Sequence, residues 1–386
     1  MKFCVAICEL NPLHSGHIRL IREMKADGNK VALIMSGNFC QRGEAAVLDK
    51  YTRARHAVLA GADIVFELPA AFASSPAELF ARGAVKLLSS LPVEKTLFFG
   101  TESGTKDEFL TLAKATLIES KQFKAALKER LEVGSPFALA RMQALEDIGV
   151  DVTLMKTPNA VLGVEYVKAI LRLNEDMDFQ PIMRTGAHDD LSVGGEYVSA
   201  AAVRAAVGDG KKKKVKQYLP KYVFADLPEE LPDMSEVAMY KILESEGKDL
   251  QKITDCAEGL ENRIKVTCRA ASNLGDLISR LETKRYTRAR ISRIITNNML
   301  GVTSDFTDKC LKSNLYLKVL AVAEDSMDIL SHISGCKNKI ITRKADGDKL
   351  TGVAKECFEK DVFANDVYSL VTGKKSNEYE MKILKR

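Results

Sequence analysis

Phe3-Cys4-Val5-Ala6-Ile7-Cys8-Glu9-Leu10-Asn11-Pro12-Leu13-His14-Ser15-Gly16-His17-Ile18-Arg19-Leu20 is the stretch whose reading decides the fold. Its apolar start, Phe3 to Ile7, reads as a buried strand, and the pattern from Ile18 onward reads as a helix. Between them lies a short turn carrying Pro, Ser and Gly. A strand, a tight turn and a helix opened by His14-Ser15-Gly16-His17 form an anion site. The unpaired N–H groups and the positive dipole end of the helix point at whatever sits in front of it. Gly16 lets the backbone come close to a ligand. His14 and His17 are three apart, so both face one ligand if the helix starts near Ser15. This chemistry suits attack at the α-phosphate of a nucleoside triphosphate, where charge builds on phosphoryl oxygens and fixed donors are needed.

Strand and helix signals keep alternating outward from this turn. Lys30 to Met35 is a second strand, ending in the polar loop Ser36 to Glu44. Asp49 is placed to cap a helix through Ala60, with Gly61 just past its end. Asp63 to Leu68 is a third strand closed by Pro69, and Pro76 opens a helix from Ala77 to Leu88. Lys95 to Phe99 is a fourth strand, followed by Gly100-Thr101-Glu102-Ser103-Gly104. Helices with mixed charge fill 107–148. After Thr157-Pro158-Asn159-Ala160 comes a helix over Val161 to Leu173, then a last strand, Asp178 to Met183, with Arg184 at its exit. A breaker-rich loop from Thr185 to Tyr197 contains His188. Ser199 caps a helix through Val207 that carries Arg204. The alternation predicts an α/β fold, a Rossmann-like domain with a parallel sheet, whose ligand lies at the carboxyl ends of the strands.

Composition shifts at Gly208-Asp209-Gly210 and the lysine run Lys211 to Lys214, so the chain divides into 1–208, catalytic, and 209–386, mostly helical. In the second part only 338–342 reads as a strand. The formal charge of +5 permits an anionic partner, and local clusters carry that argument. Lys284, Arg285, Arg288, Arg290 and Arg293 are the densest basic group. At about 100° per residue on a helix, Lys284, Arg285 and Arg288 share an arc, and Tyr286 is placed to stack on a base. The lysine run is a solvated linker or a track for backbone phosphates. Eight cysteines without a Cys-x-x-Cys pair argue against zinc and disulfides. No apolar run reaches the roughly 18 residues of a membrane span, and the first residues lack a signal-peptide layout, so a cytoplasmic protein is expected.

The residues carry a resemblance as well. Glu9 to His17, Met35 to Glu44, Glu67-Leu68-Pro69, Phe99 to Gly104, Pro158 to Gly163 and Thr283 to Arg290 occur in order across nearly the whole chain. Together they resemble the nucleotidyltransferase superfamily and, more narrowly, the bacterial tRNA(Met) cytidine acetate ligase family. The resemblance implies that ATP and acetate form acetyl-adenylate. The acetyl group then passes to the wobble cytidine of elongator tRNA(Met), giving N4-acetylcytidine. It implies an ATP site made by Ile7, Cys8, Glu9, Leu10, Asn11, Pro12, Leu13, His14, Ser15, Gly16, His17, Ile18, Arg19 and Leu20, completed by Gly100, Asn159, Arg184 and Ser199. His14 and His17 are the catalytic pair, and Lys284, Arg285, Arg288 and Arg290 are the RNA contacts. Magnesium enters as a partner of the triphosphate, and no protein metal ligands are expected.

Three positions depart from the family pattern. Ala201 replaces the threonine usual after a Ser199-type cap, and Leu10 and Leu13 replace aromatics. Glu102 serves as a general base or caps the helix near Lys106. Two other classes fit parts of the sequence: a nucleotidyltransferase acting on a small phosphorylated metabolite, and a non-enzymatic RNA-binding protein with a regulatory nucleotide site.

Overall fold

Parallel pairing of the first five strands builds the frame. They are β1 (Lys2–Cys8), β2 (Lys30–Ser36), β3 (Ile64–Leu68), β4 (Glu94–Thr101) and β5 (Asp178–Met183). In the computed structural model, which describes residues 2–118, 120–135, 137–173, 176–184, 198–375, 378–379 and 381–386, they lie in the order β5-β4-β1-β2-β3. The expected loop Thr185 to Tyr197, with His188, lies outside the described residues. Each strand is one of the apolar runs read above, give or take two residues at its ends. Alternate residues of β1 face opposite sides. Phe3 and Val5 join one core with the helices Ala77–Ser89, Lys106–Leu117 and Pro158–Leu173. Cys4 and Ala6 join a second core with the helices Ser15–Lys25, Lys50–Leu59 and Ala200–Gly208. Period-two burial on both faces is what a sheet covered by helices requires.

The chain leaves β1 in one direction for β2 and β3 and returns on its other side for β4 and β5. The crevice at such a reversal, outside the carboxyl ends of the strands, is where open α/β sheets bind ligands. Here it falls between β1 and β4.

The second half departs from expectation. Tyr316–Ala323 is a fully buried strand, β6, antiparallel to β3. It is joined by β7 (Lys339–Ile341), the short strand read at 338–342, and by β8 (Lys382–Leu384). The run Tyr-Leu-Lys-Val-Leu-Ala-Val-Ala shows neither clean alternation nor turn signals, and a short apolar run of this kind cannot be told from a buried helix by its period. Residues 209–386 therefore contribute strands to the sheet as well as helices. Their helices gather around a third core that includes Ile264, Leu277, Ile291 and Ile295 and is joined by Phe39 and Ala45 from the loop after β2.

No helix among the described residues is long and apolar enough to cross a membrane. The eight cysteines are free thiols.

Candidate active site

The first turn is built by its own side chains. His14 is the N-cap of the helix Ser15–Lys25, at φ −140°. Its Nδ1 accepts from the Gly16 N–H at 3.1 Å, and the Nδ1 of His17 accepts from the His14 N–H at 3.3 Å. The pair forms a capping box in histidine, which satisfies two of the helix's orphan donors. An Nδ1 that accepts leaves the ring proton on Nε2, so each imidazole presents an Nε2–H donor. The ring centroids are 3.9 Å apart. A Cβ on Gly16 would sit 2.9 Å from His14 Cε1, so the glycine is needed for the histidine's placement as well as for approach of a ligand. Leu10 takes φ +49°, a left-handed conformation few branched residues adopt.

Behind the turn, Arg53 is fully buried and binds only carbonyls. Its Nε donates to Leu48 O at 2.9 Å, and its Nη1 donates to Glu9 O at 2.6 Å and Ser36 O at 3.1 Å. Its Nη2 donates to Gly37 O. One guanidinium thus ties the loops after β1 and β2 together. Nothing local in the helix Lys50–Leu59 marks this arginine as an internal brace, and the sequence reading missed it.

The turn opens on a cleft of about 500 Å³ at the β1–β4 reversal. Of the residues expected at an ATP site, Ile7, Cys8, Glu9, Leu10, Asn11, His14, His17, Leu20, Gly100, Asn159 and Arg184 line it. Leu13 does not; it is buried in the core beneath the turn. Pro12, Ser15, Gly16, Ile18 and Arg19 do not line the cleft either. Ser199 uses its hydroxyl at 3.0 Å to cap its own helix on Ala202 N–H, while Ala200, Ala201 and Arg204 face the cleft. Arg204 donates to Asn11 O at 2.8 Å and lies 3.7 Å from Glu44. The loop Ser36 to Glu44 supplies Cys40, Gln41, Arg42 and Glu44, as its polar composition suggested. Phe80, Phe99 and Tyr166 add an aromatic wall that the sequence did not announce, because those residues read as ordinary core positions.

Burial dominates the electrostatics. It pushes the Cys8 thiol up to about 12, which disfavours the thiolate. Burial also raises the Glu9 carboxyl, opposed by the Gln41 N–H that it accepts at 2.5 Å. Burial lowers Arg184 below the usual guanidinium range, and the Glu102 charge opposes that shift.

The far wall is formed by the ends of β4 and β5 and the helix Pro158–Leu173. A Cβ on Gly100 would meet Arg184 Cγ at 3.1 Å, so Gly100 is bare because the arginine stem crosses it. Asn159 lies in the first turn of its helix, not in a preceding turn, since Pro158 fits the first helical position. Its Nδ2 donates to Glu102 Oε1. Glu102 does not cap the helix Lys106–Leu117; Thr105 does, with Glu108 completing a capping box.

The basic segment differs from the arc drawn above. The helix begins only at Arg288, capped by Thr287, and Lys284 to Tyr286 lie in a turn closed by Thr283 N–H to Tyr286 O at 2.9 Å. Tyr286 is buried, with the guanidinium carbons of Arg285 and Arg290 5.7 and 5.1 Å from its ring centroid, so it is not placed to stack on a base. Lys284, Arg285 and Arg288 are exposed. Arg285 pairs with Glu258, and Arg290 donates to Asp255 O at 2.6 Å. Ala289, in the first turn of this helix, lines the cleft. The helix is held there by Gly43, at φ +73°, where a Cβ would lie 2.4 Å from Arg293 N, and by Thr296 Oγ1 donating to Gly43 O at 2.9 Å.

The model of the HIGH Nucleotidyl Transferase family matches residues 1–382. A tRNA(Met) cytidine acetate ligase from Caldanaerobacter subterraneus subsp. tengcongensis is 38% identical over 94% of both chains. The enzyme of the same name from Thermoanaerobacter sp. (strain X514) is 33% identical over the same shares. Two crystal structures of Thermotoga maritima TmcAL superpose over the full length of both chains at 27% identity. The apo form gives a TM-score of 0.92, and the form bound with alpha-thio ATP gives 0.90.

Proposed function

The chain belongs to the tRNA(Met) cytidine acetate ligase family of HIGH nucleotidyl transferases, and from that premise we propose that it activates acetate with ATP and acetylates the wobble cytidine of elongator tRNA(Met). ATP lies in the cleft at the β1–β4 reversal. A carboxylate oxygen of acetate attacks the α-phosphorus, the bond to the bridging oxygen breaks, and pyrophosphate leaves with that electron pair. The N4 amine of cytidine then attacks the acetyl carbonyl of the mixed anhydride. AMP leaves, and the amine gives up a proton.

Each step asks for what the cleft contains. The Nε2–H groups of His14 and His17, at the positive end of the helix Ser15–Lys25, meet the phosphoryl oxygens, where charge grows in the transition state. Arg184 offers a planar fork for phosphate oxygens. The aromatic wall of Phe80, Phe99 and Tyr166 lowers the local dielectric, which strengthens these contacts. No group of three or more His, Cys, Asp or Glu side chains that could hold a metal occurs among the described residues. Magnesium would accompany ATP as the counter-ion of its phosphates. The reaction belongs in the cytoplasm, where its three substrates meet.

The observation that carries this reading is that Ala289 stands on the wall of the same cleft as His14, His17 and Arg184. The start of the basic helix and the ATP-binding set thus share one opening, and an anionic polymer lying along Lys284, Arg285 and Arg288 reaches the activated acyl group. Incubation of unmodified elongator tRNA(Met) transcript with the protein, ATP and acetate, followed by nucleoside mass spectrometry, is expected to yield N4-acetylcytidine only when all components are present. Acetylation without ATP, or none with it, overturns the proposal.

A further inference from the structure

One wall of the cleft holds polar atoms that the protein itself leaves unused. Glu102 Oε1 accepts from Asn159 Nδ2, whereas Glu102 Oε2 and Arg184 Nε are buried and have no hydrogen-bond partner among the described residues. Buried polar atoms are nearly always paired, so Arg184, which lines the cleft together with Asn159, is poised for a ligand. We propose that Glu102 is a positioning residue that fixes the Asn159 amide as a hydrogen-bond acceptor for the nucleoside part of ATP. The proposal rests on the ATP-binding reading above and extends it to a residue that does not itself touch the nucleotide.

Polarity decides which end of the amide meets the ligand. A carboxylate only accepts hydrogen bonds, so the amide group facing it must be the NH2. With Nδ2 committed to Glu102, Oδ1 is the amide atom that Asn159 offers to the cleft it lines. Phosphate oxygens only accept, so an acceptor on this wall has nothing to bind in the triphosphate. The hydrogen-bond donors of ATP are the exocyclic amine of adenine and the ribose hydroxyls. The wall is thus divided by sign. Arg184, whose stem passes over Gly100 at 3.1 Å from its Cβ position, takes the anionic part, and Asn159 takes a donor of the nucleoside. A freely turning amide would present either end and read neither.

Acetate-dependent pyrophosphate exchange, run on the full chain with ATP, ITP, 2′-deoxy-ATP and 3′-deoxy-ATP, tests this. In the wild type, the analogue that lacks the donor read by Asn159 raises KM about tenfold, the loss of one hydrogen bond. ITP reports the adenine amine, and the two deoxy analogues report the ribose hydroxyls. In Glu102→Gln, whose amide either donates or accepts, KM for ATP rises about tenfold with kcat nearly unchanged, and the analogue's penalty shrinks. Asn159→Asp sets two carboxylates together and loses ATP. Glu102→Gln combined with Asn159→Asp restores a donor on position 102 and a fixed acceptor on 159, and recovers KM.

A merely structural role predicts instead falling kcat and thermal midpoint, with the nucleotide ranking unchanged. The proposal is overturned if the wild type treats all four nucleotides alike, if Glu102→Gln keeps the wild-type KM and ranking, or if the double variant fails to recover. Absence of exchange in the wild type sinks the ligase reading instead. Calorimetric binding of the same four nucleotides to the same variants then decides the role of Glu102 on its own.

Discussion

On the β3–β6 side of the sheet, Lys50 lies 2.7 Å from both Glu67 and Glu378, and Lys318 pairs with the same two carboxylates. On the β1–β4 side, Glu102, Asn159 and Arg184 line up with buried atoms still unpartnered. Both groups are polar; the first is buried, and the second is half-buried at the ends of β4 and β5. In the first, burial opposes the Lys318 charge, and Glu67 and Glu378 outweigh it and hold the ammonium above its usual range. Two ammonium and two carboxylate groups cancel within the ring. In the second, the charges are of opposite sign but only one hydrogen bond has been made between side chains. Glu67 Oε2 and Glu378 Oε2 also lack a hydrogen bond, so the difference lies in place and charge: the ring is balanced among core side chains, whereas Asn159 and Arg184 line an open cleft. It also explains why burial alone is a poor guide to function, since the more buried cluster is the inert one.

The comparison can be broken at either end. The largest effect is expected in the ring. Glu67→Gln leaves two ammonium groups facing one carboxylate, which should cost about 3–5 kcal/mol in urea unfolding. A loss below about 1 kcal/mol would mean that water reaches the ring and screens it. Removing one charge of each sign, with Glu67→Gln and Lys318→Met together, leaves one ammonium facing one carboxylate and should recover most of the loss.

In the cleft, the predicted pattern reverses. His17→Ala should lower acetate-dependent exchange by about a hundredfold or more while leaving tRNA binding close to wild type and costing about 1 kcal/mol in urea unfolding, the worth of its capping bond to the His14 N–H. A stability loss of several kcal/mol with little loss of exchange would place His17 in the scaffold instead.

The basic segment separates a third way. Arg285→Gln with Arg288→Gln should weaken tRNA binding about tenfold and reduce the salt slope by about 2, with exchange retained. Unchanged affinity in a filter-binding titration would remove this surface from the RNA path.

The smallest effect belongs to Asp63, buried at the start of β3. Burial alone would raise its carboxyl, but Lys25, the Val31 N–H, Arg386 and Ser326 together hold it below the usual range. A depressed carboxylate contributes stability that is present above its unfolded pKa and is lost as pH falls through the folded one. Asp63→Asn should therefore cost on the order of 1 kcal/mol at pH 7, and the gap from wild type should close as the solution is acidified below about pH 4. A gap that persists in acid would assign the effect to packing.

The cleft was the more legible of the two clusters. Its anchor is local: strand, turn and helix follow one another within Phe3 to Leu20, and His14 and His17 are joined by helical spacing. Gly100 and Arg184 were readable as strand exits. The five parallel strands were legible for the same reason, as apolar runs closed by Gly, Pro or polar loops. The ring was not. Lys50, Glu67, Lys318 and Glu378 are joined only by tertiary structure, and each reads alone as a solvated charge. The same distance hides β6, whose partner β3 lies some two hundred and fifty residues earlier, and Arg53, which braces two loops from inside a helix. Tyr286 erred in the other direction: its basic neighbours suggested a stacking platform, but they cover its ring.

The most direct test of the account is exchange of labelled pyrophosphate into ATP by the purified protein without tRNA. The account predicts exchange that requires acetate and disappears in His17→Ala. No exchange with acetate, whether tRNA is absent or present, would contradict it.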